Sequence, residues 1–249
     1  MTEPNDDPAA VSQRRARPEL PRRFYKTAAA APYEGGFALI LDGKAVKTPA
    51  RNPLVVAGKE VAVALAEEWE RQGERIDPAS MPFTRIVNAA IDHVGGAAAA
   101  VRAEIVKYAG SDLVCYRAET PPGLVAAQNA AWDPLVTWAR VELGAALILA
   151  VGVVHVPQPE IATAGIARAV AGYDGLALAA LSTIASVTGS AVIALAVARG
   201  RLQAEEAWRA ALVDEDWQIS QWGRDEAAMA VRELRWREMQ AATFILASS

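Results

Sequence analysis

The sequence predicts an α+β fold in which a small N-terminal antiparallel sheet with one covering helix precedes a larger helical part. Two short apolar runs flank Asp42 and Gly43, which is the pattern of a β-hairpin. Beyond Met81, strand patterns almost disappear and helical periodicity replaces them. Hydrophobic residues make up 53% of the 249-residue chain, and many of them are alanine. This composition is typical of a packed, helix-rich globular protein.

The N-terminal elements follow from turn residues and apolar spacing. Asp42 and Gly43 tolerate the positive φ that a two-residue turn requires, so strands are expected on both sides of them. Apolar residues then recur at helical spacing until Gly73, which ends the helix. The sheet and this helix form a two-layer unit. The predicted elements are strands at residues 37–41, 44–48 and 54–57 and a helix at residues 59–72.

The rest of the chain is predicted to be helical, with Gly or Pro between most helices. The expected helices span residues 83–94, 97–109, 123–130, 132–143, 161–171, 174–187, 190–199, 204–221 and 225–247. Residues 145–156 are the exception, because their β-branched side chains also suit a strand or an extended segment. No fixed-period repeat is present, which favours a globular bundle over a solenoid.

Three regions are expected along the chain: a flexible tail at residues 1–20, a β-rich unit at 21–80 and a helical unit at 81–249. The tail mixes acidic and basic residues without an apolar run, so it is neither a secretory signal nor a transit peptide. Cys115 is the single cysteine, which excludes an intramolecular disulfide. These features favour a cytoplasmic protein.

The charge and the hydropathy of the chain limit the kinds of partner that it is expected to bind. The net charge of −4 offers no basic excess for a phosphate backbone, so nucleic acid is not expected as a partner. Residues 175–198 carry no charge and are long enough to span a bilayer. They are rich in Ala, Ser and Thr, however, and Gly189 and Ser190 divide them. We therefore expect two small-residue helices in a soluble core and no stable membrane insertion.

Catalytic signatures are mostly absent. The sequence lacks a P-loop, a Rossmann glycine fingerprint and a nucleophile elbow. His93 and His155 are the only histidines, so a zinc site would need an unusual carboxylate-rich ligand set. His93 is expected near a helix end, and Cys115 lies among apolar residues that suit a core position. We predict no catalytic residue, metal or cofactor, with a small cytoplasmic hydrolase of unrecognised active site as the alternative.

The predicted helix at 204–221 carries an out-of-place carboxylate. At 100° per residue, Glu215 falls within an apolar stripe, and Val213 and Trp217 lie on the opposite side. One interpretation is a buried carboxylate paired with an arginine of a neighbouring helix, because buried charges normally have partners. The other is a contact for a partner protein. The stripe consists of Trp208, Leu212, Glu215, Ile219 and Trp222.

Several segments together resemble a known family. In order along the chain they read RRFYK, LDGKAVKTP, AEEWERQ, MPFTRIVNAAID, YAGSDLVCYR, QNAAWDPLVTWA, TGS and VDEDWQISQWG. From about Arg22 to the C-terminus, the chain resembles ATP synthase assembly factor 2, a family of mitochondria and alphaproteobacteria. Its members are chaperones for the alpha subunit of the catalytic head of F-type ATP synthase.

The resemblance implies a small N-terminal α+β domain, a larger orthogonal helical bundle and no enzymatic activity. It also implies a client, unassembled alpha subunit, that is held until the beta subunit replaces the chaperone, and we expect the chaperone to be a monomer. Mitochondrial members carry a targeting segment, whereas the acid-containing N-terminus of this chain suggests a bacterial cytoplasmic member of the family. The acidic position of the family's D-E-x-x-Q-x-x-x-W-G motif corresponds to Glu215. The expected partner-binding residues are Asp214, Glu215, Trp217, Gln218 and Trp222.

Overall fold

The computed structural model describes residues 19–152 and 154–248. It confirms an α+β fold, with a small antiparallel sheet at the N-terminus and mostly helices after it. The predicted tail therefore lies outside the described residues, except for its last two. The N-terminal elements are β1 (Ala28–Tyr33), β2 (Gly36–Leu41), β3 (Lys44–Ala45), β4 (Val55–Val56) and α1 (Lys59–Glu70).

Strand β2 is the centre of the sheet and pairs antiparallel with β1, β3 and β4. The predicted hairpin is present between β2 and β3, where Asp42 and Gly43 have φ of 46° and 80°. The Asp42 carboxylate accepts hydrogen bonds from the Lys26 and Thr27 amides and thereby ties the turn to the preceding chain. Strand β1 is not predicted by the sequence, because its alanine-rich segment AAAAPY has little of the β-branched character of strands.

Glu68 of α1 joins the sheet unit to the helices. Its buried carboxylate accepts hydrogen bonds from the Phe83 amide at 2.9 Å and from the amide and hydroxyl of Thr84 at 2.8 and 2.6 Å. These amides belong to the first turn of the next helix, whose unpaired N–H groups favour an anion. Burial raises the pKa of Glu68, although the Thr84 hydrogen bonds oppose the shift.

The helical part contains nine helices within the described residues, together with a two-stranded parallel sheet. The helices are α2 (Pro82–Ala89), α3 (Gly95–Gly110), α4 (Pro122–Glu142), α5 (Glu160–Val170), α6 (Gly175–Thr188), α7 (Ala191–Ala198), α8 (Ala204–Ala211), α9 (Val213–Trp222) and α10 (Glu226–Ala247). The two strands are β5 (Tyr116–Arg117) and β6 (Ala150–Val151). Residues 145–156, expected as a strand or an extended segment, form a strand at two residues and no helix among those that the structure describes.

Helices α6 and α7 form the centre of the core, as the uncharged segment predicted. Gly189 ends α6 with φ of 68°, and the Ser190 hydroxyl accepts a hydrogen bond from the Ile193 amide at the start of α7. Every residue from Ala191 to Val197 is buried. Among the described residues, no helix has the length and apolarity needed to cross a membrane.

One predicted helix boundary is wrong. Residues 123–130 and 132–143 belong to one helix, α4, which runs through Pro134. Its buried residues Gln128, Trp132, Leu135 and Ala139 form one continuous stripe, whose burial outweighs the single hydrogen bond that a proline removes. The predicted break near His93 is present but lies a few residues later, because the π-helical turn Ala90–Val94 continues into α3 and Ala97, with non-helical φ of −129° and ψ of 22°, then kinks that helix.

The buried apolar residues of both parts belong to a single cluster that extends from Tyr25 to Ile245. The division into units at 21–80 and 81–249 remains a prediction. At the N-terminal edge of the described chain, Arg75 donates to the Leu20 carbonyl and pairs with Glu19.

Candidate protein-binding surface

The helical conformation is interrupted at Leu212, which separates α8 from α9. Leu212 has non-helical φ and ψ of −112° and 16° and is fully buried. The indole N–H of Trp132 donates to the Ala210 carbonyl at 2.7 Å, and in a continuous helix this carbonyl would accept from residue 214. The predicted single helix over 204–221 is therefore wrong. Its stripe is split as well, because Trp208 and Leu212 enter the core whereas Trp222 is 80% exposed.

Three consecutive carboxylates occupy the first turn of α9, where the helix dipole favours negative charge. Each has a partner on another helix. Asp214 accepts from the Gln128 amide of α4 at 2.7 Å. Glu215 pairs with Arg235 at 2.9 Å, and Asp216 pairs with Arg232 at 2.6 Å, both arginines lying on α10. The three acids therefore fix α9 to α4 on one side and to α10 on the other.

The guanidinium of Arg235 is held independently of Glu215. Its second terminal nitrogen donates to the Val187 carbonyl at 2.9 Å, and the group lies over the Trp208 ring at 5.7 Å. The side chains of Glu215 and Arg235 remain 43% and 34% exposed. Glu215 thus pairs with an arginine of a neighbouring helix, as the first interpretation expects. Its side chain is nevertheless exposed enough to contact a partner protein, as the second interpretation requires.

Trp217 packs on α4 at Gly123. A Cβ atom at Gly123 would lie 2.4 Å from Cη2 of the indole, a separation shorter than any real contact. The side chain that the motif predicts as a partner contact is therefore half-buried and holds α9 in place. Glycine is required at this position because the ring lies directly on the backbone.

The outer side of α9 faces solvent. Gln218 and Trp222 are exposed, and α9 has no buried residue. Gly223, with φ of 87°, ends the helix immediately after the exposed indole. An exposed tryptophan on a fixed helix suits a protein partner better than a small ligand. We define the α9 surface as Asp214, Glu215, Gln218 and Trp222.

The candidate catalytic residues are not brought together. Cys115 is fully buried, and burial raises the pKa of its thiol to about 12, the opposite of an activated nucleophile. In contrast, His93 and His155 are both exposed, and the Nδ1 atom of His155 lies 3.0 Å from the hydroxyl of Tyr116. Over residues 19–152 and 154–248, no group of three or more His, Cys, Asp and Glu side chains could hold a metal ion.

The particular partners of the three acids were not identifiable from the sequence, although an arginine of a neighbouring helix was one interpretation for Glu215. Arg232 and Arg235 are three residues apart on α10, a spacing that places them on one helix face, and this pattern could have indicated an acidic neighbour. No pattern in the sequence indicated that Gln128 would be the partner of Asp214. The Gln128 side chain is buried. Its nitrogen donates to the Asp214 carboxylate and its oxygen accepts from the backbone amide of Ala118, both at 2.7 Å.

Comparisons with known proteins identify the family of this chain. The model of the ATP12 chaperone protein family matches residues 22–140. The crystal structure of the Atu1473 protein of Agrobacterium tumefaciens, described as a candidate chaperone, superposes with a TM-score of 0.85 at 45% identity, covering 98% of this chain and 92% of that one. Atp12 from Paracoccus denitrificans superposes with a TM-score of 0.80 at 39% identity, covering 91% and 97%. The chain belongs to the ATP12 chaperone family.

Proposed function

We propose that this protein binds the unassembled alpha subunit of the catalytic head of F-type ATP synthase and covers the surface that later contacts beta. Family membership supports a chaperone of ATP synthase assembly. The choice of alpha as the client follows from the resemblance of the DEDWQISQWG segment and its neighbours to chaperones of that subunit. We place this activity in the bacterial cytoplasm.

The observation that carries the proposal is the construction of the α9 surface. Helix α9 is fixed by its acids and by Trp217, yet none of its residues is buried and Trp222 is left 80% exposed. A large aromatic side chain on a rigid, unshielded helix is a typical anchor of a protein interface. A preorganised surface also lowers the ordering cost of binding.

Covering alpha has a direct physical benefit. A subunit surface that is buried in the finished assembly exposes apolar area beforehand, and such patches promote aggregation. Release requires no energy source, because beta displaces the chaperone whenever the alpha–beta interface is the stronger one. The chaperone needs only moderate affinity and a surface that overlaps the beta-binding side of alpha.

The test is capture of isolated subunits. Tagged protein is incubated separately with purified alpha and purified beta, and bound subunit is quantified after washing. We expect stoichiometric capture of alpha, little capture of beta, and release of alpha when beta is added afterwards. Equal capture of both subunits, or of neither, would overturn the proposal.

A further inference from the structure

Residues 22–26 precede the first strand, and their side chains alternate between the interior and the solvent. Tyr25 is buried, and its hydroxyl donates to a backbone carbonyl of α1 at 2.6 Å. The Arg23 guanidinium lies 4.5 Å from the centre of the Tyr25 ring and donates to four backbone carbonyls. In contrast, Arg22, Phe24 and Lys26 are exposed. The inward residues therefore fix the segment and leave the outward side chains available to a partner.

Phe24 lines a groove beside the β2–β3 hairpin, which we call the Phe24 groove. It has a volume of about 500 Å³, and Tyr25, Leu41 and Val46 contribute apolar side chains to its lining. Phe24 packs edge-on against Tyr25, with 5.4 Å between the ring centroids, yet Phe24 is 73% exposed. An aromatic side chain that is fixed in this way but open to solvent is a typical anchor for an apolar side chain of a partner.

The Phe24 groove carries an excess of positive charge. Lys44 and Lys47 line it and are exposed, and neither side chain has a hydrogen bond or an ion pair with any residue that the structure describes. Among the described residues, Asp42 is the one carboxylate on the lining. It accepts hydrogen bonds from the Thr27 and Lys26 amides, which keep its pKa below the usual value. The charge of Asp42 thus serves the hairpin turn, and the two lysines have no acidic partner of their own.

The charges of the groove specify the chemistry of its occupant. Cations around an apolar anchor attract carboxylates, whereas positive charge on a partner would be repelled. The groove therefore fits a protein segment in which acidic residues flank an apolar side chain. A nucleic acid or an anionic membrane fits less well, because the chain as a whole carries a net charge of −4 and is repelled by both.

A second copy of this chain is a poorer occupant. Its run of three acids at the start of α9 is already paired inside the same chain, with Gln128, Arg235 and Arg232. A subunit surface that awaits its own partner in an assembly has charged groups without such pairing. The unassembled client is therefore the better source of the acidic segment.

We propose that the Phe24 groove binds an acidic segment of the client, with an apolar side chain of that segment on Phe24 and its carboxylates beside Lys44 and Lys47. The inference rests on the proposed function, because the segment belongs to the unassembled alpha subunit. The groove lies on the sheet unit and shares no residue with the α9 surface, so each contact can be removed separately.

Charge reversal tests the role of the lysines. The double variant Lys44→Glu/Lys47→Glu places two acids beside the expected carboxylates and should capture purified alpha subunit at least about tenfold more weakly than the parent protein at low ionic strength. The matched control is Arg51→Glu/Lys59→Glu, which makes the same change in net charge at two exposed cations of the sheet unit outside the groove. We expect the control to capture alpha normally, and the melting temperature verifies that each variant is folded.

Photo-cross-linking identifies the occupant itself. The variant Phe24→p-benzoylphenylalanine is irradiated in complex with purified alpha subunit, and mass spectrometry locates the cross-linked peptide. We expect a peptide of alpha with acidic residues on both sides of the attachment point. A peptide without acidic residues, or a peptide from a second copy of this chain, would overturn the inference.

The remaining outcomes separate this inference from the proposed function. Normal capture by the folded Lys44→Glu/Lys47→Glu variant, or an equal loss in the matched control, would overturn the inference while leaving the proposed function intact. Sedimentation of the parent protein with phosphatidylglycerol vesicles that is lost in the lysine variant would identify a membrane surface as the occupant and would also overturn it. Failure of the parent protein to capture alpha would overturn the proposed function itself, and with it the identity of the acidic segment.

Discussion

Arg235 connects Glu215 of α9 to the Val187 carbonyl of α6, with both hydrogen bonds at 2.9 Å. The ion pair is partly exposed, so water screens it and its contribution to folding is small. The guanidinium keeps its bond to Val187 and its contact with Trp208 even without the carboxylate. Removal of the Glu215 charge therefore leaves no charge stranded in the core.

The first prediction is that Glu215→Gln changes binding more than stability. We expect the free energy of unfolding to fall by no more than about 1 kcal/mol, and capture of alpha subunit to weaken. Glu233→Gln is the matched control, because Glu233 forms a similarly exposed pair with Arg237 away from α9. A loss of roughly 3–5 kcal/mol with undiminished capture would identify Glu215 as a structural ion pair and contradict the contact interpretation.

Neutralisation of Asp214 should weaken the capture of alpha subunit less than neutralisation of Glu215 does. Asp214 accepts a hydrogen bond from the side-chain nitrogen of Gln128, whose side-chain oxygen accepts one from the Ala118 backbone amide. Asp214→Asn is expected to preserve the hydrogen bond to the Gln128 nitrogen through its own oxygen, and so to weaken capture less than Glu215→Gln. Titration of alpha subunit against both variants measures the difference, and a greater loss for Asp214→Asn would reverse the assignment of the main contact.

Gly123 provides a test of how α9 is positioned. Gly123→Ala would place a Cβ at 2.4 Å from the Trp217 ring and push α9 away from α4. We expect destabilisation of about 1–3 kcal/mol from overpacking, together with weaker capture of alpha subunit. Urea denaturation gives the first quantity and the subunit titration gives the second.

Gly96→Ala is the control for this substitution. Gly96 lies in α3, and its added Cβ would meet no atom within 4 Å, so the variant should be more stable by about 0.5–1 kcal/mol. Trp217→Leu in the Gly123→Ala background should restore part of the lost stability by removing the collision. Equal stability of Gly123→Ala and the parent protein would show that the close packing of Trp217 on α4 is not needed.

The elements that the sequence predicted well are those defined by local patterns. Asp42 and Gly43 specify their turn, and Gly189 with Ser190 specifies the break between α6 and α7. The break at Leu212 was not predictable in this way, because it depends on the Trp132 indole, 78 residues from the Ala210 carbonyl that it binds. Helical periodicity continues through such a position, and only tertiary contact interrupts the helix.

The same distinction applies to the candidate site. The acidic motif and its tryptophans were recognisable as residues, but whether each side chain faces the scaffold or solvent depends on distant partners. Trp217 is half-buried because Gly123 admits it, and Trp222 is exposed because the chain turns at Gly223. The strand or extended segment expected within residues 145–156 was recognisable, but its pairing with Tyr116 and Arg117, far along the chain, leaves no local signature.

A further prediction concerns the single thiol. Cys115 is fully buried and burial raises its pKa to about 12, so at pH 7–8 almost no thiolate is present or accessible. We expect a thiol reagent such as DTNB to react with the native protein far more slowly than with the urea-unfolded chain. Rapid labelling without denaturant would show an open, ionised thiol and would revive the hydrolase alternative.

The last prediction concerns the pH dependence of stability through Asp112. This carboxylate is fully buried and accepts hydrogen bonds from the Val114 and Val192 amides. Burial raises its pKa from 3.8 to about 6, although hydrogen bonds from Ser190 and the backbone oppose the shift. Since the folded-state pKa lies above the ordinary value, the folded protein binds the proton more tightly than the unfolded chain. The stabilisation from this group is complete below pH 4 and declines as the pH rises to about 6.

Asp112→Asn removes the titration and therefore isolates it. The free energy of unfolding of the parent protein minus that of the variant should decrease by about 1–3 kcal/mol between pH 4 and pH 7, because each unit of pKa shift corresponds to roughly 1.4 kcal/mol. Urea denaturation of both proteins across this range measures the difference at each pH. If the variant is too unstable to measure at one end, the protonation state of Asp112 in the parent protein follows from its carboxyl NMR shift. A difference that grows with pH, or a carboxyl that titrates below 4, would mean that the hydrogen bonds at the start of α7 outweigh burial.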